Sequence, residues 1–213
     1  MRAASLLVGL WLAAGAVPAL ALEPAPGTYD YRIRHAWFGD IGAHRVTVRH
    51  EAGLVVVEHA AHLAVELLAV TAFERRSRYR EVWQNDRLVA FDGLTVDNAE
   101  RFTVAARAQG ESLIIEGAAG RTEAPAATVP SQPSRMLASP RTRFFDIKTG
   151  ELLEATVRPA GPEVVKLGGA PVATERFETT GELEQIVWYD ATGLFAQWRL
   201  WRQGAAITLT REP

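Results

Sequence analysis

Cysteine is absent from all 213 residues. Its absence removes disulfides, thiolate metal sites, haem attachment and thiol nucleophiles together, so burial and hydrogen bonding must hold the fold. There is no Gly-x-Ser-x-Gly elbow, no His-Glu-x-x-His and no phosphate-cradling glycine loop, and no cofactor is expected. Neither charge sign is in excess: 23 Lys and Arg stand against 25 Asp and Glu, for a net charge of −2. Such a balance gives no electrostatic footprint for nucleic acid. After residue 21 no run approaches the roughly 20 apolar residues of a spanning helix, so no transmembrane span is expected.

The first 21 residues have a different character. A basic Met1-Arg2 start leads into an uncharged stretch whose apolar heart is Leu6, Leu7, Val8, Leu10, Trp11 and Leu12. Pro18 breaks it, and Ala19-Leu20-Ala21 supplies the small residues at the −3 and −1 positions of a signal-peptidase site. The reading is a secretory signal peptide cut after Ala21. The alternative of an uncleaved anchor is disfavoured by the short apolar heart and by Gly9, Gly15 and Pro18. No cysteine follows the cut to carry a lipid. The expected product is one periplasmic domain, residues 22–213, with about −3 net charge.

Period-two alternation dominates that domain. Tyr29, Tyr31, Ile33, His35 and Trp37 share one strand face, with residues 38–42 read as a turn. His44, Val46, Val48 and His50 follow, then a tight Ala52-Gly53 hairpin. Val55, Val57, His59, Ala61, Leu63, Val65 and Leu67 form the next face. Residues 58–69 are also good helix formers, but the unbroken alternation favours strand. Phe73, Tyr79 and Trp83 then share a parity opposite Glu74, Arg76, Arg78 and Arg80. Shorter strands fall at 88–91, 102–106 and 113–116. Residues 124–140, with four prolines, read as an internal loop between two halves of the sheet. Beyond it lie strands at 143–146, 151–158, 164–167, 172–179, 182–189, 194–202 and 207–210. About a dozen strands with little helix predict an all-β antiparallel meander curled into a barrel or half-barrel. A weak internal echo, Glu81 to Leu88 against Ile186 to Phe195, is explained by two ordinary hairpins with Trp before the turn.

All five histidines lie between residues 35 and 62. A two-residue turn at Ala52-Gly53 sets His44 opposite Ala61 and Val46 opposite His59. With the preceding turn centred near Asp40, His35 falls opposite His44. His35, His44 and His59 would then share one face, a candidate metal site, while His62 points away. The plainer alternative is polar filler in strands that also carry many Arg. Asp146 with Glu151, and Glu182 with Glu184, read as turn and sheet-surface carboxylates. The arginines at 75, 76, 78 and 80 read as a solvated face, the rival being a dock for anionic headgroups or an acidic partner.

The aromatics Tyr29, Tyr31, Trp37, Phe73, Tyr79, Trp83, Trp188, Phe195, Trp198 and Trp201 are spread over many strands. In a curled sheet they either fill the core or line an apolar cavity. Candidate ligand-lining residues are Tyr31, Trp37, Val46, Val48, Val57, Leu63, Val65, Tyr79, Trp83, Trp188 and Trp198. Trp198 and Trp201 have opposite parity, so one of them faces away from the main core as a lip or partner contact.

Ile41-Gly42, Glu81-x-Trp83-x-x-x-Arg87-Leu88, Asp146-x-x-Thr149-Gly150 and Trp188-Tyr189-Asp190-x-x-Gly193 together resemble a family of exported Gram-negative proteins described only as a domain of unknown function. The resemblance spans residues 28–210, and residues 135–140 depart from it where a Trp is common. It implies no activity. More distantly the layout is similar to the periplasmic lipoprotein carriers of the Lol system, which implies a curled sheet holding acyl chains. The leading expectation is a non-enzymatic binder of a lipid or other apolar small molecule. An envelope assembly partner comes second, and a hydrolase or metal-dependent enzyme on the His35, His44 and His59 face third.

Overall fold

The computed structural model describes residues 23–67, 70–135, 142–202 and 204–213. The signal-peptide reading, with Ala19 and Ala21, lies outside them. Fifteen strands make one sheet: β1 (Gly27–His35), β2 (Gly39–Glu51), β3 (Leu54–Leu67), β4 (Val70–Gln84), β5 (Arg87–Asp97), β6 (Glu100–Gln109), β7 (Ser112–Gly117), β8 (Gly120–Pro125), β9 (Val129–Pro130), β10 (Arg143–Phe145), β11 (Leu152–Leu167), β12 (Ala170–Gly181), β13 (Gln185–Tyr189), β14 (Phe195–Arg202) and β15 (Ala205–Arg211). No helix occurs among the described residues. The strand order is β8 to β1 in sequence, then β15 back to β9, so the first and last strands pair at the middle. Every pairing is antiparallel except β9 with β10. The all-β expectation holds, as a curled but open sheet.

The two sheet edges, β8 and β9, do not form a ladder with each other. They are drawn together by other means. The Ala119 amide donates to the Thr149 carbonyl at 2.9 Å. Lys148 Nζ reaches Asp97 at 2.7 Å, and Arg75 chelates the same carboxylate. Between the edges the chain turns inward. Every residue from 128 to 135 is buried, so this part of the proline-rich segment plugs the concave side. The expected loop at 124–140 therefore carries the end of β8 and all of β9 as well.

The registers follow the alternation closely. Glu51 pairs with Leu54 across Ala52-Gly53, both of positive φ, and this places His44 opposite Ala61 and Val46 opposite His59 as expected. The first hairpin differs. It turns at residues 36–38, and a bulge at Ile33 and Arg34 follows, so Tyr31 and not His35 faces His44. The strands expected at 151–158 and 164–167 are one strand, β11, whose prolines are taken up by a bulge between Pro159 and Gly161. The residues weighed as helix are strand as far as Leu67.

One cross-strand row organises the concave face: Trp198 pairs with Leu209, Leu209 with Ile33, Ile33 with Gly42, Gly42 with Leu63, and Leu63 with Arg75. A Cβ on Gly42 would lie 2.1 Å from the His62 carbonyl oxygen, so only glycine lets β2 and β3 approach here. Deeper in, Tyr31, Val46, Val48, Val57, Trp83, Phe91 and Phe195 form the fully buried core. Burial of these side chains contributes roughly 1.5–3 kcal/mol each, which stands in for the missing disulfides.

Candidate functional site

Above that core a cleft of about 440 Å³ lies between the two wings of the sheet. Its walls are Ile33, Leu63, Leu183, Trp198, Leu200 and Leu209, contributed by the common row and its neighbours. Its floor is polar: His44, Ser77, Tyr79, Thr95, Ser131 and Gln132. Its rim carries Arg75, Lys148 and Arg202 with Asp146, Glu151 and Glu182. Alternation explains the floor, because His44, Ala61 and Ser77 occupy one paired row and His59 and Tyr79 the next.

Behind the floor runs a chain of titratable groups from which solvent is excluded. His44 Nε2 lies 3.1 Å from His59 Nδ1, and the rings stack at 5.2 Å. Gln132 Nε2 donates to His59 Nδ1 at 2.8 Å. His59 Nε2 is 3.6 Å from Glu81 Oε1, too long for a hydrogen bond. The other Glu81 oxygen accepts from Trp83 Nε1 at 2.8 Å and from Ser134 Oγ at 2.5 Å. All three titratable side chains are at least 97 % buried.

Burial governs their protonation. It pushes the Glu81 carboxyl up to about 7 against the pull of Ser134, Trp83 and Arg135. It brings His44 down to about 4, and burial together with His44 holds His59 well below the ordinary imidazole range. Both imidazoles are neutral at pH 7. Because Gln132 donates to His59 Nδ1, the His59 proton sits on Nε2. The single lone pair of His59 Nδ1 is then taken by the Gln132 amide, which also lies 3.5 Å from His44 Nε2, and the buried His44 Nδ1 and His59 Nε2 have no hydrogen-bond partner among the described residues.

The candidate residues separate accordingly. Leu63, Tyr79 and Trp198 line the cleft. Tyr31, Val46, Val48, Val57 and Trp83 lie on the concave side as packed core, and Val65 packs against them. Trp37 does not reach the interior: it is 68 % exposed at the tip of the β1–β2 hairpin. Trp188 faces the opposite side of the sheet, because its neighbour Val187 takes the inward place paired with Trp198. There Trp188 packs with Val165, Leu167 and Ala196, beneath Arg176 and Arg199. Trp201 is the outward member of the Trp198 and Trp201 pair.

The three-histidine metal site is not assembled. His35 sits at the first hairpin, where its Nδ1 accepts the Trp37 amide at 3.2 Å and its ring packs on Trp37 and Phe38. Among the described residues no group of three or more His, Asp or Glu side chains is placed to hold a metal ion. Glu81, Gln132 and Ser134 were not among the candidates. Glu81 had a legible signal, a carboxylate sharing parity with Tyr79 and Trp83. Gln132 and Ser134 had none, since nothing in a proline-rich segment marks it as interior.

Residues 39–212 match the model of a family described as Domain of unknown function (DUF6134). No curated protein matches the sequence. Among solved structures, the chain is similar to a beta-barrel-like protein of Domain of Unknown Function DUF1849 from Brucella abortus, at 9 % identity and a TM-score of 0.62, over 91 % of this chain and 97 % of that one. At this identity the likeness concerns the fold.

Proposed function

This chain belongs to the DUF6134 family, and we propose that it is an exported periplasmic β-domain that binds an apolar ligand, a lipid or a lipoprotein acyl chain, in the cleft between its wings. The observation that carries the reading is the cleft itself: about 440 Å³, walled by aliphatic side chains and Trp198, with polar groups confined to floor and rim. Ligand sites of this size and lining bury an apolar body and orient it through a few polar contacts. Here the polar groups of the rim, Arg202 among them, meet the ligand's polar end. Export is supported by the residue pattern of positions 1–21 and suits a cysteine-free domain.

Native mass spectrometry of the gently purified protein tests this. A bound mass that disappears on extraction with organic solvent is expected. A ligand-free spectrum, together with no uptake of an added fatty acid, would count against the proposal.

A second reading, a structural partner in envelope assembly, is favoured by the filled lower half of the sheet, where residues 128–135 and the aromatic core leave little space. Recovery of a stoichiometric partner from envelope extracts, with no bound lipid, would select it.

A further inference from the structure

Six large apolar side chains are notably exposed among the described residues: Trp37, Phe38, Leu67, Val70, Val164 and Trp201. Five of the six share one end of the sheet. Trp37 and Phe38 form the β1–β2 tip, Leu67 and Val70 flank the β3–β4 tip, and Trp201 lies beside the β14–β15 tip. These three hairpins are neighbours in the strand order β4-β3-β2-β1-β15-β14 and point the same way. Five strand spacings of ~4.8 Å place them on an arc of about 24 Å.

The registers align them further. Trp37 lies four residues beyond Ile33, Leu67 four beyond Leu63, and Trp201 three beyond Trp198, and Ile33, Leu63 and Trp198 belong to one cross-strand row. That same row forms the wall of the cleft. The apolar tips therefore lie three or four residues beyond the row that walls the cleft, at one end of the sheet. Two cations flank them, Arg34 on β1 and Arg202 on β14, and neither has a carboxylate partner among the described residues. The nearby acids are Glu66, which is exposed, and Asp40, which pairs with Arg32.

We propose that this end of the molecule docks on a lipid bilayer surface, with Trp37, Phe38, Leu67, Val70 and Trp201 entering the headgroup layer and the cleft opening towards it. A protein partner needs a complementary continuous surface, whereas separate fingers bearing Trp, Phe, Leu and Val suit a fluid interface. His35 orders the leading tip by accepting the Trp37 amide and packing on both aromatic rings. The choice of a bilayer as occupant rests on the apolar-ligand reading of the cleft, but the docking itself is tested separately.

The test is flotation of the full chain with vesicles of phosphatidylethanolamine and phosphatidylglycerol, compared with phosphatidylcholine alone. Binding is expected to the anionic vesicles. It should fall about tenfold or more, in line with the loss of two buried apolar side chains, in Trp37→Ser/Phe38→Ser and in Leu67→Ser/Val70→Ser. Val164→Ser, an equally exposed apolar site away from this end, should leave binding unchanged. All these positions are exposed, so unchanged circular dichroism and melting confirm that the variants fold. No vesicle binding by the native chain, or equal loss in the Val164 variant, overturns the proposal. So does concentration-dependent self-association that the tip variants abolish, which would assign the surface to a second copy of the chain. Vesicle binding that survives Leu63→Arg, while fatty-acid uptake is lost, separates docking from the ligand site. Vesicle binding without any ligand uptake would sink the cleft reading alone.

Discussion

His44 Nε2 lies 3.1 Å from His59 Nδ1, and both rings are shut away from solvent. Gln132 donates to His59 Nδ1, which leaves the His59 proton on Nε2 when the ring is neutral. Ring-nitrogen NMR is expected to show both side chains neutral across neutral pH, with the His59 proton on Nε2. His44 should gain a second proton only towards its lowered value of about 4. Titration near the ordinary imidazole pKa of roughly 6.5 would mean that water reaches the pair.

The same burial predicts how stability depends on pH. The carboxyl of Glu81 is raised in the folded state to about 7, so between pH 4.5 and 7 the folded chain holds a proton that the unfolded chain has released. Stability from this group is fully present at low pH and is lost as pH rises, by about 3 kcal/mol in all. The histidines act oppositely, because their folded-state values are depressed and their contribution falls as pH drops below roughly 6.5. Between pH 4.5 and roughly 6.5 the two effects oppose each other, and above about 7 neither changes stability further. Glu81→Gln, which keeps an acceptor for Trp83 and Ser134, should remove the Glu81 contribution, so that stability rises more steeply with pH up to roughly 6.5 and no longer falls between roughly 6.5 and 7. Thermal melts from about pH 4 to 8 read this; the same profile in the variant would show that Glu81 is solvated.

Two glycines at one hairpin separate steric from conformational need. At Gly42 an added Cβ meets the His62 carbonyl oxygen at 2.1 Å and the Leu63 Cα at 2.7 Å, so the β2–β3 ladder must part. Gly42→Ala should cost about 3 kcal/mol and widen the cleft wall beside Leu63. Gly39, at φ +72° with open space around it, should lose only about 1–2 kcal/mol on the same change. Denaturant titration measures both, and equal losses would contradict the close approach at Gly42.

The alternation of the first three long strands made their register legible. The Ala52-Gly53 turn alone fixed which side chains face His44 and His59, because a two-residue turn leaves no freedom. The neighbouring hairpin was not legible to the same degree. A turn of three residues and a bulge at Ile33 and Arg34 shifted His35 out of line, and no local pattern announces a bulge. Trp188 was misplaced for a related reason. Parity along β13 sorts residues into two faces, but only the pairing of Val187 with Trp198 tells which face is inside. The plug was hidden altogether, since prolines among Ser, Thr and Ala read as surface and become interior here only through tertiary closure. Glu81 shows the converse: its place on an apolar face was visible, while its partners Ser134 and, beyond His59, Gln132 come from that hidden segment.

The central claim is that the cleft takes an apolar chain, and Trp198 on its wall offers a direct reporter. A brominated fatty acid, titrated as monomer without vesicles, should quench part of the tryptophan fluorescence in a saturable way. Trp198→Phe should remove that saturable component, while Trp37→Phe and Trp201→Phe retain it. Quenching that fails to saturate, or that persists unchanged in Trp198→Phe, would contradict ligand binding in the cleft.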